Sequence, residues 1–366
     1  MSHVFTAPGM YVQGPDELLH LSTHAGRFGS HALVITTEAG MRRVAEKVRR
    51  GFEGSPVSLE LATYAGECCH TEVDRLCDVA RTHGCDVIVG IGGGKDLDTA
   101  KAVAYQLVAP VVVCPTIVSS DAPCSALSVI YHDDGSFDSY LHLRSNPDVV
   151  LMDTTVIVAS PVRLSVAGMG DALSTYFEAR AVLRSGADTS AGARPTRSAL
   201  ALARLCYETL LSDGAAAKAA LESGLCTEAV DHVIEANTLM SGIGFEGGGL
   251  AAAHAVANGL TTLDEAHVSM HGEKVAFGTL CQLVLEDASS EDLDEVMGFC
   301  AQVGLPACLH DLGVDQDVPE KAAAVAEASC RLTDTMANMP FEVTPPMVRD
   351  AILRADGLGR SLSGLD

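Results

Sequence analysis

No stretch of this chain approaches the roughly 18 uninterrupted apolar residues that a membrane-spanning helix requires. The opening residues, MSHVFTAPGM, carry neither a basic segment nor an apolar signal core. The expectation is a cytoplasmic protein with no membrane partner. Basic residues are scarce as well: 24 Lys and Arg stand against 48 Asp and Glu, for a net charge of -24, and no run of Lys or Arg offsets it locally. Such a field repels polyanions and excludes nucleic acid as an expected partner. The 12 cysteines include no CxxC pair. Cys77, Cys85, Cys114, Cys206 and Cys300 lie in apolar segments and read as reduced, buried small residues. Cys68 and Cys69 are adjacent, which is poor geometry for pairing, and they are given no role. The HExxH zinc signature, the strict GxGxxG fingerprint and the GxxxxGK[ST] loop are all missing.

What is present is 366 residues of which 48% are hydrophobic, enough for two domains with a large core. Through residue 153, short β-branched runs alternate with helical patterns, the mark of a parallel sheet covered by helices. Expected strands are Ala32 to Thr36, Val57 to Leu61, Asp86 to Ile91, Pro110 to Cys114 and Val149 to Asp153, with helices over Gly40 to Arg50, Thr71 to Gly84 and Asp98 to Leu107. After residue 153 the chain turns to Ala- and Leu-rich segments, with helix starts expected near Pro161, Asp171, Arg197, Thr227, Gly249, Gly272, Ser290, Pro319 and Pro345. Ser160, Ser290 and Thr344 are read as capping residues. The expectation is an α/β domain over 1–157 and an all-helical domain over 158–366.

The run GIGGGKDLDTAK, Gly90 to Lys101, follows an apolar strand and opens a helix. Gly92, Gly93 and Gly94 let a ligand approach the backbone, and the helix start presents amides to an anion, so the loop reads as a pyrophosphate cradle. A second loop, Pro115 to Tyr131, follows the next strand at the same edge of the sheet. Its Thr116, Ser119 and Ser125 hydroxyls, with Leu127 and Tyr131, are placed around a nicotinamide and ribose.

In GMGDALSTYFEAR the first acid of a helix is Asp171; far along the chain His254 sits among alanines, and His271 follows in HVSMHGEK. A buried imidazole needs a partner, and a metal supplies one. One carboxylate and two imidazoles suit zinc better than magnesium or calcium and leave a fourth position open. Spacing by itself does not single out this triad. His267, four residues before His271, is ranked below it.

These segments, with LDTAKA, PTIVSSDAPCSALSVIY, VIEANTLMSGIGFEGGGLAAAHAVANGL and HGEKVAFGTL, carry a resemblance that spans most of the chain. The chain resembles bacterial glycerol dehydrogenases of the iron-containing alcohol dehydrogenase superfamily. The resemblance implies a Rossmann-like N-terminal domain, a helical C-terminal domain, an active site in the cleft between them, and a homo-oligomer, an octamer by family habit. It implies that Asp171, His254 and His271 bind zinc and, with Asp121, the polyol. It further implies that Gly92, Gly93, Gly94, Lys95, Asp98, Thr116, Ser119, Ser125, Leu127 and Tyr131 surround NAD. Iron-using relatives place a His one turn after the ligand Asp, where this chain has Thr175. Two positions depart from the family pattern. Thr37 stands where NAD-preferring relatives have a ribose-binding Asp, which leaves room for NADP, with Glu38 as a substitute carboxylate. Asp96 stands where relatives have Thr or Ser after GGGK, and a carboxylate there opposes a pyrophosphate.

The implied reaction is NAD-linked, reversible oxidation of glycerol and other vicinal diols, glycerol giving dihydroxyacetone with zinc assisting the hydride transfer. A lyase resembling 3-dehydroquinate synthase shares the NAD-plus-zinc plan but needs Lys and Arg converging on a phosphorylated substrate, and few candidates stand near Asp121, Asp171, Phe245, His254 and His271 in the sequence motifs. A non-enzymatic metal-binding assembly would leave the nucleotide loop idle.

Overall fold

Most apolar runs of the first half form strands buried on both faces, as a parallel sheet sandwiched between helices demands. A computed structural model describes residues 2–331 and 335–365. Its strands are β1 (Tyr11–Gly14), β2 (His31–Thr37), β3 (Ser58–Tyr64), β4 (Val87–Gly92), β5 (Val111–Pro115), β6 (Leu127–Tyr131), β7 (Phe137–His142) and β8 (Val149–Asp153). Six of them form one parallel sheet in the order β1-β8-β5-β4-β2-β3, while β6 and β7 pair as an antiparallel hairpin. The helices of this α/β unit are α1 (Leu21–Ala25), α2 (Glu38–Phe52), α3 (His70–His83), α4 (Gly94–Leu107) and α5 (Thr154–Val158). Val34, Val89, Ile91, Val112 and Leu151 of the sheet share one core with Val44 and Val48 of α2.

The unit comprises Ala7–Val118 and Ala122–Pro161. The second unit is helical and takes residues 2–6, Ser119–Asp121 and the chain from Val162 onward. It contains α6 (Val162–Ser185), α7 (Arg197–Glu222), α8 (Glu228–Glu235), α9 (Ser241–Gly248), α10 (Ala252–Leu260), α11 (His271–Leu285), α12 (Ser290–Val303), α13 (Val318–Ser329) and α14 (Pro345–Ser363). A π-turn, Ala236–Met240, joins α8 to α9. A parallel-sheet α/β unit followed by a helical one is the architecture the sequence pattern implied.

Four local expectations need correction. The helix expected to start at Asp171 does not: α6 runs unbroken from Val162 to Ser185, and Gly168 and Gly170 lie inside it. Gly170 serves packing inside the helix, because a Cβ there would fall 2.4 Å from the Gly272 carbonyl oxygen of α11. Two glycine positions let the helix backbones touch. Second, the cap of α12 is Ser289, whose hydroxyl accepts the Asp292 amide; Ser290 is already helical. Third, the Ser160 hydroxyl is buried with no hydrogen-bond partner, and Thr344 makes no side-chain cap bond. Prolines at the first two positions of α14 remove amides that such a cap would bind. Fourth, β1, the hairpin and α9 were not anticipated. Among the described residues no helix is long and apolar enough to cross a membrane.

Candidate metal centre and nucleotide loop

In the helical unit, Asp171 projects from the middle of α6, His254 from the first turn of α10, and His271 from the first position of α11. One ligand atom from each lies within 4.8 Å of the others. The Nε2 atoms of His254 and His271 stand 3.4 and 3.3 Å from the same oxygen, Asp171 Oδ1. That oxygen is buried and accepts no well-aligned hydrogen bond. A buried anionic oxygen left in this condition is costly unless a cation completes it. Burial alone would raise the Asp171 pKa, but the His271 and His254 imidazoles outweigh it and hold the carboxyl well below the usual range. Burial likewise would lower the His254 pKa, and the Glu178 and Asp171 carboxylates reverse this and raise it. The donor set of one carboxylate and two imidazoles, converging on an oxygen with no other partner, fits a divalent metal. His267 takes no part: its Nε2 lies 3.0 Å from the Thr261 carbonyl on the exposed surface.

Asp121, although it falls in the first third of the sequence, belongs to this unit. Its backbone amide donates to Asp171 Oδ2 at 3.2 Å, and its own Oδ2 accepts the Ser241 hydroxyl at 2.8 Å. The Thr175 hydroxyl lies 2.9 Å from Ser241 Oγ. Burial and the neighbouring Asp171 charge raise the Asp121 pKa well above the ordinary carboxyl value. Ser119 lies in the same segment.

The expected nucleotide residues lie in the α/β unit, Ser119 excepted. Gly94 begins α4, and a Cβ there would meet nothing within 4 Å, so the backbone is open to a ligand. The Lys95 ammonium binds Glu67 Oε1 at 2.6 Å and stands 4.6 Å from the Tyr131 ring centroid. The Thr116 amide donates to the Gly92 carbonyl at 2.9 Å, tying the second loop to the first. The Ser125 hydroxyl donates to the Ala122 carbonyl. Asp98 pairs with the fully buried Lys101 at 3.1 Å and accepts the Val129 amide. Lys101 also donates to the carbonyls of Ala122 and Leu127, so this pair locks the start of the hairpin against α4.

Comparison with known proteins gives four results. A model of the iron-containing alcohol dehydrogenase family matches residues 8–154. A glycerol dehydrogenase of Citrobacter freundii is 50% identical over 360 residues, 98% of this chain and 99% of that protein. A glycolaldehyde reductase of Halobacterium salinarum is 46% identical over 98% of this chain and 99% of its own. This chain belongs to the iron-containing alcohol dehydrogenase family. Within that family, the crystal structure of glycerol dehydrogenase from Schizosaccharomyces pombe superposes with a TM-score of 0.95 at 38% identity, covering 100% of this chain and 94% of that one.

In this member of the alcohol dehydrogenase family, sequence reasoning missed Glu178. It lies two helical turns after Asp171 on α6 and is fully buried. One of its oxygens accepts the amides of Ala251 and His254 at 2.8 and 2.9 Å, capping the start of α10; the other lies 2.6 Å from His254 Nδ1. A carboxylate on Nδ1 fixes the proton there and leaves Nε2 as the lone-pair donor facing Asp171. The signal in the sequence was an acid seven residues after Asp171, with no other charged residue between them, hence on the same helix face. Glu178→Gln is expected to keep the fold and to weaken zinc binding about 10- to 100-fold. Competition with a chromophoric chelator measures this; unchanged zinc affinity would remove Glu178 from the metal site.

Proposed function

We propose that this chain is a zinc-dependent glycerol dehydrogenase, oxidising glycerol and other vicinal diols reversibly with NAD and converting glycerol to dihydroxyacetone. Near-full-length 50% identity to a glycerol dehydrogenase carries the reading. The cluster of Asp171, His254 and His271 around one unpartnered buried oxygen supports it chemically. Those three residues hold the metal in this proposal. Zinc, when bound, supplies Lewis acidity that lowers the pKa of a substrate hydroxyl, and NAD supplies the hydride acceptor. Zinc is preferred over iron because Thr175, one turn after Asp171, offers a hydroxyl bonded to Ser241 in place of a further imidazole.

Residues of the chain do the rest. Glu178 orients His254. Asp121, held by Ser241 and by its own amide on Asp171, presents a carboxyl oxygen to a polyol hydroxyl. Gly92, Gly93, Gly94, Lys95, Thr116, Ser119, Ser125, Leu127 and Tyr131 bind the dinucleotide in the same proposal, while Asp98 serves it indirectly by holding Lys101. In domain terms, residues 1–157 bind the nucleotide and 158–366 the metal. A cytoplasmic homo-octamer completes the proposal.

The similarity to a glycolaldehyde reductase favours a second reading of the same site, run toward reduction of a 2-hydroxy aldehyde. One assay separates the two. The protein is treated with a chelator, then returned to zinc, and NAD reduction with glycerol is followed beside NADH oxidation with glycolaldehyde and with dihydroxyacetone. The expected result is a nearly complete loss of glycerol-dependent NAD reduction on chelation and its recovery with zinc. Turnover of glycolaldehyde without turnover of glycerol or dihydroxyacetone would replace the first reading with the second, and activity indifferent to chelation would remove the metal from both.

A further inference from the structure

Thr37 and Asp96, the two departures from the family pattern, meet at one place in the fold. β2 and β4 are neighbours in the sheet, yet the chain leaves β2 toward β3 on one side and leaves β4 toward β5 on the other. Doubly wound sheets bind nucleotides in the crevice beyond the strand ends at such a switch point, with an acid at the end of the second strand on the adenosine ribose. Here the second strand ends in Thr37. Its hydroxyl accepts the Gly40 amide at 3.0 Å and caps α2, so it offers no charge and little freedom. Glu38 does not replace the missing acid: its side chain is 82% exposed and pairs with Arg42 at 2.8 Å.

Asp96 is placed differently. Its Oδ1 accepts the backbone amide of Thr37 at 2.9 Å, and its Oδ2 accepts that of Gly93 at 3.2 Å. One side chain therefore spans the ends of both strands, and it is 8% exposed. The seat is built for it: a Cβ at Gly92 would fall 2.3 Å from Asp96 Cγ. Burial raises its pKa, while the amides of Thr37 and Gly93 and the charge of Arg43 oppose the rise. Each carboxylate oxygen spends one lone pair on an amide and keeps another for a ribose hydroxyl. The same negative charge repels a 2′-phosphate.

We propose that Asp96 sets this chain's preference for NAD over NADP, delivering from the glycine loop the carboxylate that residue 37 lacks. The proposal rests on the nicotinamide-dinucleotide reading given above and deepens it. The test is titration calorimetry of the full chain with NADH and with NADPH, comparing the parent, D96N, D96T and T37D/D96T. The parent is expected to bind NADH at least about tenfold more tightly than NADPH. D96N and D96T should bring the two affinities within about threefold of each other, and T37D/D96T should restore the preference by returning the carboxylate to the strand end. Thermal unfolding of each variant checks that it is folded, and D96T, carrying the relatives' residue, serves if D96N is not.

A parent without preference, or folded single variants that keep the parent's ratio, would overturn the proposal. Binding of neither dinucleotide by the parent would overturn it together with the nicotinamide reading. A parent that selects NADH but leaves glycerol unoxidised overturns only the choice of substrate, because the affinity ratios decide the role of Asp96 without turnover.

Discussion

Asp171→Asn is expected to lower kcat/KM for glycerol by about three orders of magnitude or more, the loss of several kcal/mol of Lewis-acid assistance. The variant should remain folded. Asparagine has the same shape, its carbonyl oxygen can accept the Asp121 amide, and the buried site loses a charge it held only through neighbouring imidazoles. The measurement pairs steady-state kinetics with zinc content by atomic emission and a thermal melt. Loss of zinc and activity with a melting temperature near that of the metal-free parent would place the effect at the ligand. Retention of stoichiometric zinc and of more than about a tenth of the activity would mean that Asp171 is not a ligand.

Gly272→Ala is expected to have the largest effect on stability. Its Cβ would lie 1.8 Å from the Ala167 carbonyl oxygen and 2.9 Å from the Asp171 amide, both on α6. These are backbone atoms that no rotamer change can move, so α11 must retreat from α6. Overpacking of this kind costs about 1–3 kcal/mol or more, which lowers Tm by several degrees in a unit of about 200 residues. The chemistry should suffer as well, because His271 is the residue before Gly272 and rides on the same turn. A displacement of about 1 Å there can cost about a hundredfold in kcat. Gly298→Ala is the control: it sits inside α12 with nothing within 4 Å of the added carbon and should stabilise by roughly 0.5–1 kcal/mol. Equal melting temperatures for the two variants would contradict the close backbone approach of α6 and α11.

The sheet was legible because strands buried on both faces are written as continuous apolar runs. β8 occupies the expected residues, and β2, β3, β4 and β5 shift by only a residue or a few at their ends. β1 is four half-buried residues, too short for any periodicity to show. The hairpin of β6 and β7 was hidden because β7 is mostly exposed and carries no apolar alternation. In the helical unit, glycine misled: Gly168 and Gly170 look like breakers ahead of Asp171, whereas both lie inside α6 and the tight crossing with α11 leaves no room for a side chain at Gly170. Convergence of Asp171, His254 and His271 was available only through resemblance, since no local spacing brings α6, α10 and α11 together. Ser241 was out of reach for another reason. It stands just after a π-turn, whose extra residue shifts the helix register and redirects the side chains that follow. For Asp96 the residue was visible as an oddity, but its hydrogen bonds to Thr37 and Gly93 depend on two strands being neighbours.

The membership of Ser119–Asp121 in the helical unit has a consequence for how the protein is made. The last strand of the sheet ends at Asp153, so every strand of the α/β unit is synthesised before α6 begins. Asp121 is synthesised among them but finds its partners only when Asp171 and then Ser241 emerge, and the cluster of Asp171, His254 and His271 closes only with His271. At roughly 5–20 residues per second, the gap between a finished sheet and a finished cluster is about 6 to 24 s. Through that interval the nascent chain holds in water a carboxyl destined for burial. A fragment beginning at α6 would contain Asp171, His254 and His271 and still lack Asp121.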